Sequence, residues 1–410
     1  MNKGQKGVRK PTSVRKPVKG QARSWFGADI PAIDSERRNW LIAASVGTKI
    51  LIAFLTVEVF KSFLDMFGHG NNYHAVQNIL SGLWPWANGT TVNYPPLAFI
   101  PMFIAYLGSL VGGFLTFVVM MWILMAICDL ITTIAIYYIG LQLYSERTAF
   151  IAALVYATAF SAAYFSFTVF DAFPVMLAAL ALLFTVYGAK TKGYLTAVVG
   201  LFAKLWPMVL FPFLWVYNAK DSSVLAEGRR RAIGILVVAS AAFVVMVAVG
   251  YNTFLGYTSL VYSNTIPYLA SVFLPAVPFD AIVNVFRVMM VVIILGAIYW
   301  MYRKPGSISR LVKMIFLSIF VLVFLIQYRS PQYTVWLMPF AALLVAGDAW
   351  GILIFFAVQV MEYLEFPLTF YSVWVNEHYV SGWAIPFFIT FFIAYGLLLW
   401  RAMIAKMGEA

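Results

Sequence analysis

The sequence predicts an all-α polytopic membrane protein of about twelve transmembrane helices, its first external loop carrying interfacial helices. Three observations lead there. Hydrophobic residues make up 63% of the 410 and charged residues only 11%, with a mean hydropathy of +0.86; a soluble domain needs about 25% charged residues to cover its surface. Apolar runs of about 20 residues, long enough to span a bilayer as helices, recur from Leu41 onward. Between these runs Lys and Arg cluster in every second gap, as cytoplasmic loops do. The single cysteine, Cys128, lies within an apolar run, which excludes a disulfide scaffold and a thiolate-held cofactor. No Gly-rich phosphate loop, HExxH or paired CxxC occurs, which excludes a soluble nucleotide enzyme.

The N-terminal region reads as a disordered basic tail over 1–38, ahead of one transmembrane domain over 39–410. Residues 1–24 carry Lys3, Lys6, Arg9, Lys10, Arg15, Lys16, Lys19 and Arg23 without an acid. The formal net charge is +12, and without those eight the chain has 20 basic against 16 acidic residues. Such a tail fits anionic lipid headgroups at the cytoplasmic face better than nucleic acid. No apolar stretch with a small-residue cleavage site follows it directly, so it does not read as a signal peptide.

In chain order, the first span covers 39–61 and starts inside, after Arg37 and Arg38. The gap 62–113 is then external. Within it, 97–111 is too short for an ordinary span and reads as re-entrant or interfacial, with the second span running 114–144 to Glu146 and Arg147. Spans at 148–166 and 171–189 end at Lys190 and Lys192. Two short apolar pieces over 193–218 are interrupted by Lys204, Trp206 and Pro207. Spans near 232–251 and 280–301 follow, the latter returning to Arg303 and Lys304; the last four lie near 311–327, 334–346, 350–366 and 382–400. Both termini are therefore expected to be cytoplasmic. No internal or inverted repeat is present, unlike many secondary transporters.

The candidate functional residues are the ionisable ones that this charge pattern leaves on the outer side. Charges at membrane depth are costly and tend to pair or line a cavity. Lys204 and Arg329 stand beside Trp, Pro or Tyr at interruptions between apolar pieces, where irregular backbone is tolerated beside a protein-lined cavity. The external loop supplies Asp65, His69 and His74, an amphipathic stretch at 75–80, and Tyr94-Pro95-Pro96. The Pro pair forces an extended entry into 97–111. Asn88-Gly89-Thr90 is a glycosylation sequon.

Five segments together carry a family resemblance. The loop contains G-x-x-P-aromatic, Gly82 to Trp86, and then Tyr94-Pro95-Pro96-Leu97. Cys128-Asp129-Leu130-Ile131, Phe170-Asp171-Ala172 and Lys204-Leu205-Trp206-Pro207 follow, and Arg329-Ser330-Pro331-Gln332-Tyr333 leads to Trp336 and Pro339. In this order they resemble the GT-C superfamily of polyprenyl-phosphate-sugar-dependent glycosyltransferases, in its prokaryotic alpha-mannosyltransferase-like branch. The resemblance covers roughly 39–400. It departs from the family in lacking a carboxylate pair in the first loop; Asn71 and Asn72 stand where some members have acids.

The resemblance implies sugar transfer, with mannose the expected sugar, from a polyprenyl-phosphate donor to a lipid or glycan acceptor on the non-cytoplasmic face; compactness and short loops point to a prokaryotic plasma membrane. An inverting transfer needs a base for the acceptor hydroxyl, and Asp65 is the candidate, with His69 and His74 as alternatives. Lys204, Arg329 and Arg287 are candidates for the donor phosphate, where charge develops as the lipid departs. Tyr94, Asp171, Gln332 and Tyr333 are candidates for binding substrate. With no acidic pair in the loop, neither a metal nor another cofactor is expected. Two other readings share the basic outer groove: a flippase of lipid-linked sugars, and a catalytically silent subunit that assists another enzyme.

Overall fold

A computed structural model describes residues 23–25, 28–30, 32–59, 67–83, 94–248, 265–368 and 384–407. Asp65, Trp84, Trp86 and the sequon lie outside the described residues. The polypeptide opens with a small antiparallel hairpin of β1 (Arg23–Trp25) and β2 (Ala28–Ile30). Helix α1 (Ser35–Phe54) follows, capped by the Asp34 carboxylate, and continues as a π turn to Val59. Helical structure thus begins a few residues earlier than the boundary expected at 38, because Asp34 satisfies the first free backbone amide.

After α2 (Phe67–Leu80) comes α3 (Phe99–Leu141), entered through a 3-10 turn at Pro96–Ala98. This helix is broken at Gly113, whose φ of 68° and ψ of −157° suit a residue without a Cβ. The chain folds back there. A Cβ added at Gly108 would lie 2.8 Å from the Met120 side chain, a separation that no straight helix allows across twelve residues. Tyr73 of α2 touches both arms, with ring centroids 5.5 Å from Tyr106 and 5.2 Å from Phe117. The short apolar piece at 97–111 is therefore one arm of a hairpin, and the long passage starts at Phe114.

The remaining helices are α4 (Glu146–Ala157), α5 (Phe160–Thr168), α6 (Ala172–Val186), α7 (Lys190–Ala203), α8 (Leu210–Asn218), α9 (Val224–Glu227) and α10 (Ile233–Ala248). Beyond 264 come α11 (Ile266–Phe273), α12 (Phe279–Arg303), α13 (Ile308–Phe324), α14 (Met338–Val345), α15 (Ala349–Tyr363) and α16 (Ala384–Ile404). Among the described residues six helices are long and apolar enough to cross a membrane, or seven if α4 and α5, bent by 47°, make one span. This is a multi-pass membrane protein, and among its described residues fewer helices of full bilayer length occur than the twelve crossings expected. Several expected spans are short or interrupted helices, because Pro, Gly and polar residues stop the backbone ladder before it reaches bilayer length.

The bundle has two chemically distinct ends. At one, the basic loops meet: Arg37 pairs with Glu146, Lys190 with Glu227, and Arg401 with Asp348. There Lys313 donates to the Met403 and Ala405 carbonyls at the close of α16. Ser145, Ser307 and Asp348 cap the helices that start there. Arg401 holds the Asp348 carboxyl below its usual range by hydrogen bonding. The opposite end is aromatic and contains the candidate site. Between the two, Lys49 of α1 is buried against Asp129 of α3, whose other oxygen accepts 2.7 Å from the Tyr156 hydroxyl of α4. That clamp ties three helices at mid-length. Close approach of α3 and α4 depends on Gly140, where a Cβ would sit 3.0 Å from the Ala149 Cα.

Candidate functional site

At the aromatic end the helices stop short and irregular turns converge. Helix α5 ends at Thr168, and α6 starts after Asp171. Helix α7 ends at Ala203, and Lys204 leads in extended conformation to a 3-10 turn at Trp206–Val209, with Pro207 near its start. A second 3-10 turn, Pro331–Trp336, precedes α14. Pro at these positions ends one helix and starts the next.

The turns bring Lys204 and Asp171 together, Nζ to Oδ1 at 2.7 Å. Trp336 Nε1 donates to the same Oδ1. Asp171 is buried, whereas the Lys204 side chain keeps 13% exposure. Three rings surround the ammonium: Phe170, Trp336 and Tyr333, with centroids 5.1, 5.2 and 5.3 Å from Nζ. Trp336 is stacked between Trp206 at 5.2 Å and Tyr333 at 4.3 Å, and Tyr94 meets Phe170 edge-on at 4.5 Å. A cation over aromatic faces in a poorly solvated setting is held electrostatically as well as sterically. Yet Asp171 Oδ2, though buried, has no partner among the described residues.

Helix α2 closes one side. Gly68 lies against the Thr168 carbonyl, which a Cβ would approach to 3.0 Å. His69 is fully buried and its Nε2 meets the Phe167 carbonyl, which also accepts 2.6 Å from Trp122 Nε1. A carbonyl only accepts, so Nε2 carries the proton and Nδ1 offers a lone pair. Burial lowers the His69 pKa below 6.5, so the ring is neutral at pH 7. His74, on the same helix, is exposed and bonded to Gln77.

Arg329 is placed differently from the expected bidentate phosphate ligand. Its guanidinium donates to Glu365 Oε1 at 2.9 Å and Oε2 at 3.0 Å, and to Glu362 Oε1 at 3.0 Å. All three residues are fully buried. Tyr395 also donates to Glu362, as does Thr334 at 2.7 Å. Phe391 covers the guanidinium at 4.5 Å. The fork expected to take a phosphate is spent on two carboxylates, which makes this centre a structural fastener between the 329–334 segment, α15 and α16.

Arg287, on α12, is exposed and bonded to Gln327 and Asn284. It reaches the end of α13 rather than the Lys204 cluster. Gln332 bonds to Ser330, one residue from Tyr333. Sequence reasoning missed the buried Lys49–Asp129 clamp and the Trp122–Phe167–His69 arrangement. The clamp was signalled by a lysine alone within an apolar span. No group of three or more His, Cys, Asp or Glu residues suited to a metal ion occurs among the described residues.

No protein-family model and no curated protein matches the sequence. Among solved structures the chain is similar to ArnT from Cupriavidus metallidurans bound to undecaprenyl phosphate, with 17% identity and a TM-score of 0.48 over 88% of this chain and 73% of that one. It is also similar to the Archaeoglobus fulgidus oligosaccharyltransferase in its apo form, with 13% identity and a TM-score of 0.40, covering 94% of this chain and 57% of the other.

Proposed function

We propose that this protein is a membrane glycosyltransferase that moves a sugar, with mannose the expected one, from a polyprenyl-phosphate donor to a lipid or glycan acceptor. The reaction is placed at the non-cytoplasmic face of a prokaryotic plasma membrane, with both termini cytoplasmic. One observation carries the reading. Of the five segments that resemble the GT-C family, four contribute Tyr94, Phe170–Asp171, Lys204–Trp206 and Tyr333–Trp336 to one contiguous cluster. They are far apart in sequence, and packing alone does not require them to share an ion pair.

In this reading Lys204 faces the donor phosphate and stabilises the charge that grows as the sugar leaves. Asp171 Oδ1 holds Lys204 in place, and the stacked Tyr333, Trp336 and Trp206 make a flat apolar wall. Asp65 is the proposed base for the acceptor hydroxyl. It lies two residues before α2, the helix that closes the site. Arg287, proposed from the sequence for the same phosphate, would have to leave Gln327 and the end of α13 to join Lys204. Arg329 has no such part, because its charge is already spent.

Transfer of radiolabelled mannose from short-chain polyprenyl-phosphate-mannose by the purified full chain tests this. Lys204→Met should slow transfer by about 100-fold or more, as loss of one transition-state charge contact does. Asp65→Asn should cost about 100-fold to 10,000-fold, the range for a lost general base. A wild-type protein silent with mannose, glucose and arabinose donors overturns the reading and leaves the flippase or the accessory subunit.

A further inference from the structure

Of the ten buried side-chain nitrogen and oxygen atoms that lack a partner among the described residues, five lie on the segments that meet at this end. They are His69 Nδ1, Asn72 Oδ1, Thr168 Oγ1, Asp171 Oδ2 and Trp206 Nε1. A buried polar atom without a hydrogen bond costs about 1–3 kcal/mol. Five in one neighbourhood are not expected of a finished core, whereas each becomes reasonable if a bound molecule completes it. The Arg329 centre, a few residues along the chain, leaves no carboxylate oxygen unpaired and only the guanidinium Nε without a partner among the described residues.

The segments are contiguous. Gly68 abuts Thr168, His69 is bonded to Phe167, and Asn72 is one helical turn beyond Gly68 on the same face of α2. Asp171 is tied through Trp336 to Trp206. The five atoms also share a chemical bias. His69 Nδ1, Asn72 Oδ1 and Asp171 Oδ2 only accept; Thr168 both donates and accepts; Trp206 alone is restricted to donating.

We propose that the α2 face bearing His69 and Asn72, the Thr168–Asp171 turn and Trp206 form a subsite for the hydroxyl groups of an uncharged sugar, apart from the phosphate contact at Lys204. This rests on the transferase reading and deepens it. A ligand for such a wall must bring hydrogen-bond donors, and sugar hydroxyls bring several, while Trp206 Nε1 can reach a ring or glycosidic oxygen. A uronic acid would place a carboxylate against three acceptors, one of them charged, and is disfavoured.

Quenching of intrinsic tryptophan fluorescence measures binding to the full chain without any turnover. The probes are short-chain polyprenyl-phosphate-mannose, the same lipid carrying glucuronate, and the bare polyprenyl phosphate. The wild type should bind the mannose lipid about tenfold or more tightly than the bare lipid, the gain from a few hydrogen bonds. The glucuronate lipid should gain nothing. Asn72→Leu and Thr168→Val should bring the mannose-to-bare ratio towards one with bare-lipid affinity unchanged, and Thr168→Ser should restore it. Equal wild-type binding of mannose and bare lipid, an unchanged ratio in both variants, or tight glucuronate binding would each overturn the subsite. A selective wild type that transfers nothing would retain the subsite and reject the transferase.

Discussion

Two buried charge centres share one stretch of chain: Arg329 leads into the 3-10 turn whose Tyr333 and Trp336 flank the Lys204–Asp171 pair. Around Arg329, all four oxygens of Glu362 and Glu365 are bonded and nothing is exposed, with only the guanidinium Nε left without a partner among the described residues. Around Lys204, the ammonium keeps some access, and among the described residues its carboxylate partner has a bare oxygen and unpaired polar atoms collect on the flanking segments. A complete network inside a low-dielectric interior rigidifies and specifies packing. An incomplete one costs stability, and it persists where something else completes it. Each centre pairs a cation with carboxylate beside aromatic rings; what separates them is that every carboxylate oxygen is bonded around Arg329, while Asp171 Oδ2 has no partner among the described residues.

That contrast can be broken most severely at Arg329. Arg329→Met should strand two buried carboxylates and destabilise the fold by about 3–5 kcal/mol, the usual cost of removing one partner of a buried pair. Melting of the detergent-purified protein would show it as a large drop in Tm, with any protein that stays folded still binding the donor lipid. A smaller drop than that of Lys204→Met would mean that the fastener has been misplaced. The Lys49–Asp129 clamp sharpens the point. Lys49→Met alone should destabilise strongly, whereas Lys49→Met with Asp129→Leu and Tyr156→Phe should recover most of the loss, because apolar groups of similar size replace the ion pair and the hydroxyl bonded to it at little cost.

The smallest effect concerns His69. Burial depresses its pKa below 6.5, so the unfolded chain takes up a proton more readily than the folded one. Its contribution to stability is complete above pH 6.5 and declines as pH falls towards the folded pKa. His69→Gln should flatten that limb of a Tm-against-pH curve below pH 6.5; identical curves would show that another group governs it.

Much of the architecture is legible without coordinates. The helix break at Lys204-Leu205-Trp206-Pro207 follows from a charge and a proline within apolar sequence, and the short piece at 97–111 follows from its length. The Arg329 centre was only half legible. Glu362 and Glu365 share one helix face in an apolar span and so demand a cation, but which cation answers is a matter of tertiary packing. His69 was legible as a residue with two roles to choose from; the carbonyl of Phe167 that fixes its tautomer carries no side-chain signal at all. Hydropathy does not see where a helix stops within a run, so the positions of the short and interrupted helices were not legible.

The fold-back at Gly113 also decides a parity. Residues Phe99–Leu141 form one long apolar stretch to any insertion machinery, yet only the part after Gly113 makes a passage, since the first arm returns alongside it. Were the first arm to cross on its own, every later loop would change sides, and Arg147, Lys190, Arg303 and Arg401 would face the opposite compartment. A single backbone conformation near the start of the chain therefore sets the handedness of the whole membrane assembly, and with it the compartment in which the Lys204 site opens.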